Sequence, residues 1–246
     1  MKKLTVNHIT VNYDKIKIID DVSIELNKGE LVCLLGVSGA GKTTLFNVIS
    51  GLLEPDTGSI LLDDQNITGE AGKISYMLQK DLLLPFKTVL DNVALPLIIK
   101  GEKRRFAREK ASTYFSDFGL EGTQKQYPHQ LSGGMRQRAA MLRTYLFSGE
   151  VALLDEPFSA LDAITKSSMH KWYLDVMEQI KLSTIFITHD IDEAIFLSDR
   201  IYILTGKPGK IVKEIKITEP KPRRKEFVVS SAFMDYKREI LKLLEQ

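Results

Sequence analysis

Apolar and polar positions alternate along the first thirty residues. Leu4, Val6 and Ile9 mark one segment, and Ile16, Ile18, Val22, Ile24 and Leu26 mark a second, with the period of strands that bury one face. From Glu30 to Leu35 (ELVCLL) the pattern becomes a nearly continuous apolar run, which predicts a strand covered on both sides. A glycine-rich turn from Gly36 to Gly41 and a helix from Lys42 to Leu52 complete one strand–turn–helix unit. The same grammar returns late in the chain. Strands are predicted at Val151 to Leu154, Ser183 to Thr188 and Arg200 to Leu204, with helices at Lys166 to Gln179 and Ile191 to Leu197 between them. Strands alternating with helices predict a parallel sheet with helices on both faces.

The stretch from Thr88 to Ser148 reads as mostly helical, with Phe106, Ala111, Tyr114, Phe115 and Phe118 spaced to share an apolar face. Beyond Leu204 come a Gly/Pro turn, a Pro- and Lys-rich linker from Pro220 to Lys225, and an amphipathic helix carrying Phe233, Tyr236, Ile240, Leu241 and Leu244. The expected organisation is one domain over 1–246, with its core at 1–87 and 149–205, a helical insert at 88–148 and a tail at 206–246.

Composition narrows the class. The chain has 246 residues, and 34 Lys+Arg against 32 Asp+Glu leave a net charge of +2, too balanced for a bulk nucleic-acid or anionic-lipid binder. The one cysteine excludes a disulfide framework and a Cys-based zinc site, and Cys33 reads as a small buried hydrophobe. No apolar run approaches the roughly 18 residues that span a bilayer. The basic start MKKLTVNH leads into an alternating strand rather than a signal-peptide core, so a soluble, reduced, intracellular protein is expected.

Gly36-Val37-Ser38-Gly39-Ala40-Gly41-Lys42-Thr43 fits G-x-x-x-x-G-K-[ST] between an apolar strand and a helix, the context a phosphate-binding loop requires. Its glycines allow successive N–H groups to turn around phosphate oxygens, and the helix aims its positive end at the same anion. Lys42 is placed to reach β- and γ-phosphates, and the Thr43 hydroxyl to ligate Mg²⁺. Asp155 and Glu156 follow a buried strand, where α/β sheets bind ligands. Asp155 is a candidate to hold Mg²⁺, and Glu156 to activate the attacking water. Leu131-Ser132-Gly133-Gly134-Met135-Arg136-Gln137-Arg138 opens a helix with Ser132 as N-cap and resembles a second anion site, although the first loop already supplies one.

With these motifs in this order, residues 3 to 205 resemble the nucleotide-binding subunit of an ABC transporter, LSGGMRQR corresponding to the family signature. The resemblance implies a P-loop NTPase core of RecA-like type with a parallel sheet, an N-terminal antiparallel β subdomain and an inserted helical subdomain. It implies that Tyr13 stacks on adenine and that Gly36, Ser38, Gly39, Gly41, Lys42, Thr43 and Thr44 hold the phosphates. Gln79 matches the glutamine that senses Mg²⁺ and the γ-phosphate, Asp162 belongs to the D-loop Ser159-Ala160-Leu161-Asp162, and His189 is the switch histidine of Thr188-His189-Asp190. Two copies would pair head to tail, with Ser132, Gly133 and Gly134 of each closing over the ATP of the other. Catalysis would fall to Glu156, His189 and Gln79, and Mg²⁺ to Thr43, Gln79 and Asp155.

Leu83 to Val89 with Asn92-Val93, and the run from Thr188 to Ile211, are similar to the nitrate, sulfonate and taurine importer group, whose relatives also take up pyrimidine vitamin precursors. Transmembrane permease subunits are then expected as partners, with an extracytoplasmic solute-binding protein acting indirectly and no nucleic acid. The expected location is cytoplasmic, peripheral on the inner membrane face. Residues Gln79 to Val93 would form the permease groove, Leu82 to Phe86 being either its exposed contact or a buried core strip. A non-transport ABC ATPase acting on nucleic acid or ribosomes is the alternative; such relatives carry a long coiled-coil insert or two cassettes, and this chain has neither. His8, His129 and His170 read as structural, and Arg223, Arg224 and Lys225 as a solvated linker.

Overall fold

The computed structural model describes residues 1–148 and 150–245; residue 149, where the core was expected to resume, residue 246 and the side chain of Lys225 lie outside the described residues. The two alternating segments at the start become β1 (Lys2–Tyr13) and β2 (Ile16–Asn27), an antiparallel pair in which Leu4 faces Leu26, Val6 faces Ile24 and Ile9 faces Val22. The continuous apolar run becomes β3 (Leu31–Gly36), buried at every position. It feeds α1 (Lys42–Ile49), three residues shorter than expected. Gly51, at φ 75°, turns the chain left-handed there, and the Leu52 N–H donates back to the Asn47 carbonyl.

Three short strands follow, β4 (Thr57–Leu62), β5 (Gln65–Asn66) and β6 (Ser75–Met77). The largely helical stretch holds α2 (Val89–Ile99), α3 (Arg104–Thr113), a 3-10 turn at Pro128–Gln130, and α4 (Gly133–Ser148). The chain then runs through β7 (Val151–Asp155), α5 (Ala163–Ile180), β8 (Ser183–Thr188), α6 (Ile191–Leu197), β9 (Arg200–Thr205) and β10 (Lys210–Lys216). A 3-10 segment at Lys225–Val229 leads into α7 (Ser231–Leu244).

Two sheets result, a four-stranded antiparallel one in the order β2-β1-β4-β5 and a six-stranded one in the order β10-β9-β3-β8-β7-β6, parallel except for β10. The central strand shows why its sequence is apolar throughout. Leu31, Cys33 and Leu35 point into a core shared with α2 and with α4 to α7, whereas Val32 and Leu34 point into a second core shared with α1, β1 and β2. Because β3 lies between β8 and β9, and β7 lies beyond β8, the carboxyl ends of β3, β7 and β8 come side by side: Leu35 pairs with Thr188 and Ile187 with Asp155. That register brings three motifs distant in sequence to one edge of the sheet.

Several expectations are corrected. Phe106 is 58% exposed and leaves the apolar face on which Ala111 lies, and the helix ends at Thr113, so Phe115 and Phe118 are buried by the loop that follows. The segment after Leu204 contains the unforeseen strand β10, a charged edge strand with one buried residue, Ile215. Its lysines mask the apolar alternation and protect an edge from further pairing.

The solvated-linker reading fails at Arg223, which is 6% exposed. Its Nη1 donates to the carbonyls of Ile195, Phe196 and Ser198. These lie at the C-terminal end of α6, where the last carbonyls have no partner within the helix. Among the described residues no helix is long and apolar enough to cross a membrane.

Candidate active site

At the end of β3 the chain must curl tightly enough for consecutive N–H groups to face inward. Gly39 and Gly41 do this at φ 81° and 95°, left-handed values that L side chains rarely adopt. Gly41 immediately precedes α1, and Lys42 is the first residue of that helix. The Lys42 ammonium donates to the carbonyls of Gly36 at 2.8 Å and Val37 at 2.9 Å, folding back over the loop. Burial lowers its pKa, opposed by the Glu156 and Asp155 carboxylates.

A cavity of about 440 Å³ opens in front of this loop. Ser38, Gly39, Gly41, Lys42, Thr43 and Thr44 form one wall; Asp155, Glu156 and His189 form the other, with Ile18 and Ile187 at its sides. A larger cavity of about 860 Å³ lies between α5, α6 and the segment before α7. Size does not select the site here, because the smaller cavity has the phosphate-loop chemistry.

Asp155 is 8% exposed, and its Oδ2 receives the Thr43 hydroxyl at 3.3 Å and the Tyr76 hydroxyl at 3.4 Å. Burial pushes the Asp155 carboxyl above its ordinary range and the neighbouring Glu156 adds to this, while the Thr43 hydrogen bond opposes it. Glu156 adopts φ 46°, a strained value for a side-chain-bearing residue, held by its N–H donating to the Ile187 carbonyl at 3.0 Å. Its carboxylate is gripped at both oxygens: Gln79 Nε2 donates to Oε2 at 3.2 Å, and His189 Nδ1 lies 3.0 Å from Oε1.

Two carboxylates facing one lysine, with a hydroxyl and a carboxamide beside them, form an all-oxygen donor set suited to a hard divalent cation. Among the described residues there is no cluster of three His, Cys, Asp or Glu able to hold a metal alone. Such a cation would therefore complete its shell with phosphate oxygens and water.

Other expected site residues are not on this cavity. Ser132 caps α4, accepting the Met135 N–H at 3.2 Å, and a Cβ on Gly134 would stand 3.4 Å from Thr165. Gly133 begins α4, with Leu161 3.5 Å from where its own Cβ would be. Asp162 caps α5, its Oδ1 receiving the N–H groups of Ile164 and Thr165. Tyr13, at the end of β1, is 45% exposed.

Sequence reasoning missed Tyr76 and Arg143. The first is a partly buried aromatic whose hydroxyl finds Asp155 only through the β6–β7 pairing. Arg143, on α4, donates to the carbonyls of Asp81 and Leu82, and Arg136 pairs with Asp81 at 3.3 Å. Helix α4 thereby clamps the loop after Gln79. Within that loop Leu83 is buried, while Leu82 is 52% and Phe86 73% exposed. Leu52, Leu78, Leu82 and Ile99, all exposed, surround a groove of about 420 Å³ beside it.

Comparison with known proteins agrees with this architecture. Residues 19–159 match the family model described as ABC transporter. The chain is 47% identical to the formylaminopyrimidine import ATP-binding protein ThiZ of Halalkalibacterium halodurans, over 85% of this chain and 81% of that protein. It is 38% identical to an aliphatic sulfonates import ATP-binding protein, SsuB, of Bacillus cereus, over 98% and 96%. Among solved structures, a dimeric ATP-binding cassette in a post-hydrolysis state with ADP and Pi superposes with a TM-score of 0.74 at 29% identity, covering 88% of this chain and all of that one.

Proposed function

The chain belongs to the ABC transporter family, and from that premise we propose that it is the ATP-binding and ATP-hydrolysing subunit of an importer for a small solute, either an anion of the nitrate, sulfonate and taurine type or a pyrimidine vitamin precursor. The observation that carries the reading is the meeting of Lys42, Thr43, Asp155, Glu156 and His189 around one cavity.

In this reading the N–H groups from Ser38 to Thr44 and the positive end of α1 hold the β- and γ-phosphates. Lys42 exchanges its two carbonyl partners for phosphate oxygens. Tyr13 stacks on adenine. Thr43, Asp155 and Gln79 hold Mg²⁺, which when bound neutralises charge on the phosphate oxygens. Glu156 takes the proton of the attacking water, and its strained, doubly gripped carboxylate has little freedom to point elsewhere. A positioned base of this kind contributes about 10²–10⁴-fold. His189, on the same wall as Glu156, contacts the γ-phosphate.

Because Ser132, Gly133, Gly134 and Asp162 are remote from their own chain's cavity, they are assigned to the site of a second copy, paired head to tail. The apolar groove around Leu82 and Ile99 is assigned to a permease segment, which would hold the protein against the inner membrane face. A solute-binding protein would act only through that permease.

The test is the Glu156→Gln variant with ATP and Mg²⁺, examined by light scattering and hydrolysis assay. A stable dimer with turnover reduced about 10²–10⁴-fold is expected. A strictly monomeric protein at high concentration contradicts the shared site.

A further inference from the structure

His189 stands on an exposed loop, its side chain 64% accessible, yet it is set 3.0 Å from Glu156. The side chains behind it are buried and closed on one another. Thr188, 2% exposed, donates its hydroxyl to Glu193 Oε2 at 2.5 Å and accepts the Asp190 N–H at 3.1 Å. The Glu193 N–H in turn donates to Asp190 Oδ1 at 3.1 Å. Both residues flanking His189 are therefore tied to Glu193, which is 4% exposed on the first turn of α6.

The other oxygen of Glu193 faces His170 Nε2 at 3.2 Å. The His170 ring meets Phe158 edge-on at 4.9 Å, two residues beyond Glu156. One chain of contacts thus runs from behind the histidine to the segment that carries the carboxylate.

We propose that Glu193, backed by His170, is a positioning residue for ATP hydrolysis: its carboxylate holds the Thr188 hydroxyl, which in turn receives the Asp190 N–H, and so sets the histidine between them against Glu156. The inference rests on the ATPase reading above. An acidic residue in the first turn of a helix is explained by the helix dipole when it is solvated. Glu193 is instead buried, where an ionised carboxylate is retained only with partners, and those partners belong to the His189 loop and to α5. Displacing a reacting group by about 1 Å lowers rates about 100-fold, so an exposed loop that must hold a histidine in place gains from such a tether.

The experiment compares Thr188→Val, Thr188→Ser, Glu193→Ala and Glu193→Gln with the wild type, measuring kcat, KM for ATP, nucleotide affinity and thermal midpoint. Thr188→Val and Glu193→Ala are expected to lower kcat about 10–100-fold with ATP affinity within about 2-fold. Thr188→Ser, which keeps the donor, and Glu193→Gln, which keeps an acceptor, should recover most of it. The Thr188→Val, Glu193→Ala double variant should be no slower than the slower single one, because both break the same tether.

Wild-type hydrolysis with kcat unchanged in both disruptive variants overturns the tether alone. Loss of the fold, or ATP affinity falling in step with kcat in the near-isosteric Thr188→Val, also overturns it, since the role is then structural. A wild type that binds no ATP overturns the ATPase reading itself.

Discussion

Asp155 is a carboxylate whose surroundings oppose its charge. It is withdrawn from water beside a second carboxylate, so its pKa is raised in the folded state by burial first and by Glu156 after the opposing Thr43 bond. A carboxyl with a raised folded pKa stabilises the fold fully below its unfolded pKa, near 3.9, and loses that contribution as pH rises through the folded value. At neutral pH the charged group is a liability, offset only in part by the Thr43 and Tyr76 hydrogen bonds and by Lys42. Asp155→Asn should therefore raise the melting point of the nucleotide-free protein at pH 7 by about 2–4 °C, equivalent to about 1 kcal/mol. That gain should vanish near pH 3.9, and the variant should lose the extra stabilisation that ATP with Mg²⁺ gives the wild type. Differential scanning fluorimetry across pH checks both halves, and a lower midpoint at pH 7 contradicts the account. The sequence identified Asp155 by its place after an apolar strand; the Tyr76 hydroxyl beside it belongs to a three-residue strand too short to have a period.

At the scale of elements, helices end where side chains or loops meet their unpaired groups, and some of those partners come from far along the chain. Thr88 caps α2 and Asp162 caps α5 within their own sequence neighbourhoods, although the expected start of α5 at Lys166 falls three residues after the observed Ala163. The end of α6 is different. Its carbonyls are met by Arg223, 25 to 28 residues later, and nothing local in Pro222-Arg223-Arg224 separates a buried capping arginine from a solvated one. Hydrogen bonds from a charged donor contribute about 1.5–3 kcal/mol each and are not additive. Arg223→Ala should destabilise the protein by about 2–4 kcal/mol in urea unfolding. Arg223→Lys should recover less than half, because a single ammonium lacks the planar fork. A loss below about 0.5 kcal/mol would show that water replaces the guanidinium freely.

At the scale of the whole molecule, the phosphate cavity is built by one edge of the sheet while the glycine-rich start of α4 stands apart from it. If that start serves a second copy, Ser132→Arg should leave ATP binding within about 3-fold of the wild type and abolish turnover. The lost N-cap costs about 1 kcal/mol of stability, too little to unfold the chain. Calorimetry and a phosphate-release assay distinguish the outcomes; normal turnover shows that the signature does not act across a dimer. Within Leu82 to Phe86 the loop after Gln79 is both core and surface: Leu83 is buried and Leu84 half-buried, while Leu82, Pro85 and Phe86 are exposed.

The sequence by itself determined the sheet class, the alternation of parallel strands with helices and the candidate phosphate loop, because these depend on periods and on residue types within a few positions. Cys33 and its neighbours had to be apolar on both sides, and Gly39 and Gly41 had to be glycines, whatever lay elsewhere in the chain. Only the tertiary structure decided which distant groups meet: Tyr76 on Asp155, Arg143 on the loop after Gln79, Arg223 on α6, and Glu193 behind His189. Those pairings follow from the register of β3, β7 and β8 and from how helices close over them. Such contacts are long-range, leave no period in the sequence, and exist only once the sheet has assembled.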